Sequence, residues 1–323
     1  MMKILLALLI GLGGFAALTL WIARQHEARA EAAYPPQGRL VEVDGQRVHA
    51  VVMGPEAGTA PDLVLIHGVS GNTRDMTYQL APALAQQYRV IVLDRPGLGY
   101  SDRLGTGGAS ITAQADLLQG AAARLGAERP IVLGHSYGGA VALAWAVTRA
   151  DTLAALVDVA GAAKPWRGAL PPLYRVLSHP LLGPLAAPLL TAWVPDSYVE
   201  GAVADIFAPQ EPPEGYLAHV GAALTLRRAT LRENALQRAN ILSEIEALHP
   251  RYGEIAVPIE IVHGTADTIV GLSVHSRPLA DQVPGAALTV LDGVGHMPHH
   301  VAPDAVIAAV HRATTRAGLR PGQ

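Results

Sequence analysis

Six short, mostly apolar runs punctuate this chain: Leu63–Ile66, Val90–Leu93, Ile131–Leu133, Leu156–Val159, Ile259–Val262 and Leu288–Leu291. Runs of about four mostly apolar residues, without regular polar alternation, fit strands buried on both faces. Helix-like stretches lie between or after them, at Met76–Gln87, Ile111–Leu125, Gly138–Arg149 and Ala305–Arg316. This alternation predicts a mostly parallel sheet with helices on both faces, an α/β architecture. Leu40–Val43 and Arg47–Val52 flank the tight-turn pair Asp44-Gly45, so a hairpin should open the domain and bring the sheet to eight strands.

The rhythm breaks once. Between about Ala162 and Val257 no strand run occurs, and ten prolines fall between Pro165 and Pro213. The rest reads as helical pieces such as Tyr216–Arg228 and Leu231–Leu248. An insertion between two strands reads as a helical cap over one end of the sheet. Its apolar residues, Leu173, Leu177, Leu181, Leu182, Leu185, Leu189, Leu190 and Trp193, suggest either a pocket for a hydrophobic group or packing of cap on core.

Ile4–Ile22 is a run of 19 residues without a charge, preceded by Lys3 and followed by Arg24, His26, Glu27, Arg29 and Glu31. As a helix it just crosses a bilayer core of about 30 Å. It is longer than a usual secretory apolar region, although Ala28-Arg29-Ala30 resembles a cleavage site. We expect an uncleaved signal-anchor with the remaining domain outside the cytoplasm, the alternative being a secreted or periplasmic protein after signal cleavage. Lys3 favours an inner N-terminus, and Arg24 and Arg29 pull the other way. The expected divisions are therefore 1–30 (anchor or signal), 31–38 (linker), 39–161 (first part of the core), 162–256 (cap insertion), 257–317 (second part of the core) and 318–323 (tail).

Half of the 323 residues are hydrophobic and only 16% are charged, which excludes intrinsic disorder. A formal net charge of −3 argues against a nucleic-acid partner. Cysteine is absent, so disulfides, thiolate zinc sites and a cysteine nucleophile are excluded.

The chemistry enters at Ile131-Val132-Leu133-Gly134-His135-Ser136-Tyr137-Gly138-Gly139, a strand, then G-x-S-x-G, then a helix. That context is what a nucleophile elbow requires. Ser136 would stand on a sharp turn, and Gly134 and Gly138 would flank it because a Cβ there meets neighbouring backbone. The following helix N-terminus would direct partial positive charge at an oxyanion beside Ser136.

With these residues in place, residues 40–316 resemble the α/β-hydrolase fold, in its serine-nucleophile branch of esterase- and lipase-like enzymes with a helical cap. Four signals fall in that family's order: His67-Gly68 after the third strand, Asp94-Arg95-Pro96-Gly97-Leu98-Gly99-Tyr100-Ser101 after the fourth, the serine elbow after the fifth, and a late aspartate followed by a histidine. The resemblance implies a Ser136–His296–Asp267 triad, in the family order Ser, acid, His. Asp267 follows Ile261-Val262-His263-Gly264-Thr265-Ala266, and His296 follows Leu291-Asp292-Gly293-Val294-Gly295. His296 would take the Ser136 proton, and Asp267 would fix the imidazole tautomer. Asp158, after the sixth strand run, is the alternative acid, at a position some relatives use. The backbone N–H groups of Tyr137 and Val69 would form the oxyanion hole. His67, Asp94, Arg95 and Asp102 read as loop-ordering groups and His135 as pointing into the fold. His299 and His300 invite a metal reading, but Pro298 disrupts helical ligand spacing and no neighbouring carboxylate set accompanies them, so neither metal nor organic cofactor is expected.

An activated serine with an oxyanion hole performs acyl transfer. The family's epoxide hydrolases and haloalkane dehalogenases share similar Pro-Gly loops but use an aspartate where Ser136 stands, which argues against both chemistries. The expected function is hydrolysis of a carboxylic ester, on a hydrophobic small-molecule or lipidic substrate. The alternatives keep the triad for carbon–carbon bond hydrolysis, lactone hydrolysis or perhydrolysis, or lose catalysis altogether in a ligand-binding homologue.

Overall fold

The computed structural model describes residues 1–322. It opens with helix α1 (Met2–Ala33), followed by β1 (Arg39–Val43), β2 (Gln46–Met53) and β3 (Asp62–Ile66). Next come α2 (Thr73–Thr77), α3 (Leu80–Leu84), β4 (Arg89–Leu93), α4 (Ile111–Arg124), β5 (Ile131–His135), α5 (Tyr137–Thr148) and β6 (Ala155–Val159). Five α-helices separate β6 from the next strand: α6 (Pro172–Ser178), α7 (Gly183–Trp193), α8 (Asp196–Phe207), α9 (Tyr216–Val220) and α10 (Arg228–Leu248). The chain ends with β7 (Ile259–Gly264), α11 (Ser276–Gln282), β8 (Ala287–Leu291), α12 (Pro298–Val301) and α13 (Pro303–Arg316).

The eight strands form one sheet in the order β1-β2-β4-β3-β5-β6-β7-β8. β2 pairs antiparallel with β1 and β4, and every pairing from β4 through β8 is parallel. The central strands are buried on both faces because their side chains alternate between two cores. Leu63, Leu65, Val90, Val92, Ile131 and Leu133 pack on the side of α3 and α13. Val64, Ile66, Ile91, Leu93 and Val132 pack on the side of α4 and α5. Each fully buried branched side chain contributes roughly 1.5–3 kcal/mol. Helix α5 is buried from Tyr137 to Val147, and its Gly138-Gly139-Ala140 start lets it lie close against the sheet.

Three local expectations are corrected. The Met76–Gln87 helix is two short helices, α2 and α3. Pro82 cannot donate to the carbonyl four residues back, and its ring clashes there, so one continuous helix is interrupted. The Tyr216–Arg228 piece ends at Val220, because Gly221 takes a left-handed φ of +63° and closes α9; α10 then starts at Arg228 rather than Leu231. The linker expected over 31–38 is helical through Ala33, since Glu31-Ala32-Ala33 are helix formers and the break comes from Pro35-Pro36.

Candidate active site

Ser136 lies between β5 and α5 with φ +54° and ψ −114°, a conformation that L-residues rarely adopt. Its neighbours explain why the chain tolerates this. A Cβ on Gly134 would collide with the Gly138 carbonyl, and one on Gly138 would collide with the Ile66 carbonyl of β3. The turn is therefore pressed against both its own helix and the adjacent strand. The Ser136 N–H donates to the Val159 carbonyl (3.0 Å), and its carbonyl accepts from Ala162 (3.1 Å), tying the turn to the end of β6.

β7 and β8 are parallel neighbours, so the loops at their C-terminal ends meet. Thr265 N–H donates to the Leu291 carbonyl (2.9 Å) and Ala266 N–H to the Val294 carbonyl (2.9 Å). This stitching brings Asp267 and His296 together. Ser136 Oγ lies 2.9 Å from His296 Nε2, and His296 Nδ1 lies 2.7 Å from Asp267 Oδ2. All three residues are buried. His135 fixes the histidine loop from below by donating from Nε2 to the His296 carbonyl (2.9 Å).

The two candidate acids differ sharply. Burial alone would raise the Asp267 pKa, but hydrogen bonds from His263 and His296, the His296 charge and the Val270 N–H hold it well below the usual carboxylate range. Its Oδ1 accepts from Ile269 and Val270 N–H at 2.8 and 2.9 Å. Asp158 sits at the end of β6, fully buried, with no side chain among the described residues hydrogen-bonded to either oxygen. Burial pushes its pKa up to about 7, offset in part by nearby His263 and the Gly161 backbone N–H. His296 faces Asp267 and not Asp158.

The loop after β3 runs beside the nucleophile: an ideal Cβ on Gly68 would stand 3.2 Å from Ser136 Cβ. Arg95, fully buried, holds this loop from beneath by donating to the carbonyls of His67 (3.1 Å) and Gly68 (3.0 Å). Its guanidinium lies over the Tyr137 ring at 4.1 Å and donates to Gln237 Oε1 (2.7 Å). The Tyr137 N–H opens α5, among the first four N–H groups of a helix, which lack an intrahelical acceptor. Asp94 accepts from Thr73 N–H (2.6 Å) and Tyr100 N–H (2.9 Å), and Asp102 pairs with Arg47 (2.9 Å), so both order loops.

Three contributors escape local sequence reading. Asn234 of α10 holds Ser70, next to Val69. His263 donates from Nε2 to the Val270 carbonyl (2.6 Å), with the same nitrogen 3.1 Å from Asp267 Oδ2. Asp75 supplies a carboxylate to His299 and His300 after all, the three offering ligand atoms within 4.8 Å of one another. Asp75 Oδ1 already accepts from His300 Nε2 (2.8 Å) and from the Tyr216 hydroxyl (2.7 Å), so the arrangement is a hydrogen-bonded cluster joining α2, α9 and α12. No spacing rule links residue 75 to 299 before the sheet is assembled.

The apolar residues singled out between β6 and β7 are mostly exposed. Leu177 alone of them is buried; Leu173, Leu181, Leu182, Leu185, Leu189 and Trp193 are exposed. Leu177 and Leu190 pack with Leu231 and Ala235 of α10, whereas core packing does not describe the exposed six. A groove of about 720 Å³ lies between α1, α7 and the first turn of α10, bounded by Leu20, Glu27, Pro188 and Arg228, and is separate from the serine.

Comparison with known proteins agrees with this fold. The pattern described as "Alpha/beta hydrolase family" matches residues 63–309. The magnesium-chelatase 30 kDa subunit of Rhodobacter capsulatus is 29% identical over 253 residues, 78% of this chain and 85% of that protein. Haloalkane dehalogenase 2 of Mycobacterium tuberculosis is 26% identical over 293 residues, 86% of this chain and 94% of that one. A crystal structure of an alpha/beta hydrolase fold protein from Burkholderia ambifaria superposes with a TM-score of 0.69 at 26% identity, covering 84% of this chain and 96% of that chain. With a mostly parallel eight-stranded sheet, a serine elbow after its fifth strand and a matching pattern over most of its length, this chain belongs to the alpha/beta hydrolase family.

Proposed function

We propose that the chain is a serine hydrolase of carboxylic esters, tethered to a membrane by α1, with Ser136 as nucleophile, His296 as base and Asp267 as the acid of the triad. The observation that carries this reading is the continuous hydrogen-bonded line from Ser136 Oγ through His296 to Asp267, at 2.9 and 2.7 Å. In the proposed reaction His296 Nε2 takes the Ser136 proton as Oγ attacks the ester carbonyl carbon. The carbonyl π electrons move to oxygen, where the N–H groups of Val69 and Tyr137 would receive the negative charge; each such donor is worth about 3–4 kcal/mol. The carbon–oxygen bond to the alcohol then breaks, and His296 returns the proton to the leaving oxygen. Water, deprotonated by His296, attacks the acyl-enzyme, releases the acid and restores Ser136. Asp267, held ionised, stabilises the transient imidazolium.

Residues 162–256 act in this reading as the cap. It supplies Asn234 and Thr225, which grip Ser70 beside the oxyanion loop. An apolar acyl or alcohol group is the favoured substrate feature, since α1 is long and apolar enough to cross a membrane and would hold the domain beside lipid.

The test is fluorophosphonate labelling of the full chain and of Ser136→Ala, beside a series of p-nitrophenyl esters of increasing acyl length. Labelling and turnover that both vanish in the variant are expected. Labelling without ester turnover would move the reading to lactone, carbon–carbon or perhydrolytic chemistry by the same residues. An unlabelled, folded wild type would overturn catalysis by Ser136.

A further inference from the structure

The exposed apolar residues between β6 and β7 are not scattered. Leu182, Leu185, Leu189 and Trp193 recur at intervals of three and four and lie on one face of α7 and its cap, and Leu181 extends that face into the preceding turn. The 20 residues Val176–Pro195 contain no Asp, Glu, Lys or Arg. Four prolines within them, Pro180, Pro184, Pro188 and Pro195, rule out a second continuous spanning helix. An exposed face this apolar is rare on a monomer in water and marks an interaction site.

What meets this face follows from its attachment to α1. The Phe15 and Trp193 rings stack with centroids 6.2 Å apart and planes 6° from parallel. Trp193 Nε1 donates to Thr19 Oγ1 (3.1 Å), and His26 Nδ1 donates to the Thr191 carbonyl (2.9 Å). Below them Glu27 accepts from the Arg228 guanidinium at 2.6 Å and from its backbone N–H at 2.9 Å. Thr19, Ala23 and Ala30, the buried residues of α1, form the seam. The contacts with Trp193 fall at residues 15 and 19, inside the uncharged run that ends at Ile22. At 1.5 Å per residue Trp193 therefore stands about 5–10 Å below the end of that run. That is the depth at which interfacial helices lie, about 5–10 Å into the headgroup and acyl boundary.

We infer that α7 and the turn before it are a second, monotopic membrane contact, dipped into the acyl layer beside α1 and fixed to it by the Trp193 contacts. This rests on α1 being membrane-embedded and is independent of the chemistry at Ser136. The occupant is lipid, because the face continues the exposed apolar surface of α1. Water returns at α8, whose Asp196, Glu200 and Asp205 follow directly. Ion pairs of Glu27 with Arg228 and of Glu31 with Arg227 then sit at headgroup level.

The absence of native cysteine makes the test clean. The full chain is reconstituted into phosphatidylcholine–phosphatidylglycerol vesicles as three single-cysteine variants: Leu9→Cys on α1, Leu185→Cys on α7 and Val290→Cys at the far edge of the sheet. All three positions are exposed. Each carries a nitroxide, and collision with oxygen is compared with collision with a water-soluble nickel chelate. The expected result is an oxygen-to-nickel ratio several-fold higher at 9 and 185 than at 290. A lipid-like ratio at 9 with a water-like ratio at 185 overturns the inference while leaving the anchor intact. Water-like ratios at both overturn the anchor itself. Spin–spin broadening with low access to both reagents at 185 would assign the face to a second copy of this chain instead, and equally overturn lipid contact.

Discussion

The side-chain amide of Asn234 bonds Ser70 twice, accepting its backbone N–H at 2.9 Å and donating to its hydroxyl at 2.9 Å. Asn234 comes from α10, whereas Ser70 follows Val69 in the loop proposed to bind the oxyanion. Ser70 has φ +58°, so its backbone is held in a costly conformation by the groups around it. Thr225, accepted by the Ser70 carbonyl at 2.7 Å, completes the grip. Asn234→Ala should release the loop and misplace the Val69 donor. A shift of about 1 Å can cost about 100-fold, so kcat should fall roughly 10–100-fold with little change in KM. Steady-state kinetics on a p-nitrophenyl ester checks this, and an unchanged kcat would show that Ser70 needs no anchor.

The strain at Ser136 makes a separable prediction. Ser136→Ala and Ser136→Gly should both lose about a million-fold in turnover if the triad assignment holds. Their stabilities should differ, because glycine accepts φ +54° freely and alanine does not. Relief of left-handed strain is worth about 1–2 kcal/mol, so Ser136→Gly should melt above Ser136→Ala. Equal melting temperatures in differential scanning calorimetry would mean that the elbow stores no strain.

The sheet and the nucleophile turn were legible because both are local. A run such as Leu63–Ile66 states its burial in four residues, and Gly134 to Gly138 contain the whole elbow. Asp267 and His296 were legible as ends of two strand-and-loop segments, and it is the register of β7 on β8 that joins them. The contacts of Asn234 with Ser70 and of Asp75 with His300 span 164 and 225 residues, and nothing in either local segment encodes the partner. The exposed leucines of α7 were misleading for another reason. Periodicity reports that a helix has an apolar face, but not whether protein or lipid covers it.

His263 should matter without touching a reacting atom. Its Nε2 lies 2.6 Å from the Val270 carbonyl and 3.1 Å from Asp267 Oδ2, and the Ser276 hydroxyl meets its Nδ1 at 2.6 Å. The ring therefore holds the Asp267 loop in place and shares the oxygen that faces His296. His263→Phe removes those bonds at similar bulk. Loss of such an outer partner typically costs about 10–100-fold. The fall should lie in kcat, with KM little changed. An unchanged kcat in a folded His263→Phe variant would reduce His263 to a packing role.

The two aspartates provide the sharpest discrimination, because their environments push them in opposite directions. Asp267 has a depressed folded pKa, so its contribution to stability is present above about pH 4 and is lost as pH falls through the folded value. Asp158 is raised by burial to about 7, so the folded state holds a proton that the unfolded chain has released. Its effect on stability runs the other way: stability is highest below about pH 4 and declines as pH rises towards 7. Asp158→Asn abolishes that decline, so its melting temperature should gain on wild type between pH 5 and pH 8 while turnover stays near normal. Asp267→Asn should lose about ten-thousand-fold in turnover through the wrong imidazole tautomer. Melting curves at the two pH values, with kcat for both variants, decide the matter. A crippled Asp158→Asn beside a mild Asp267→Asn would exchange the two roles, and it would require His296 to turn away from the carboxylate it now meets at 2.7 Å.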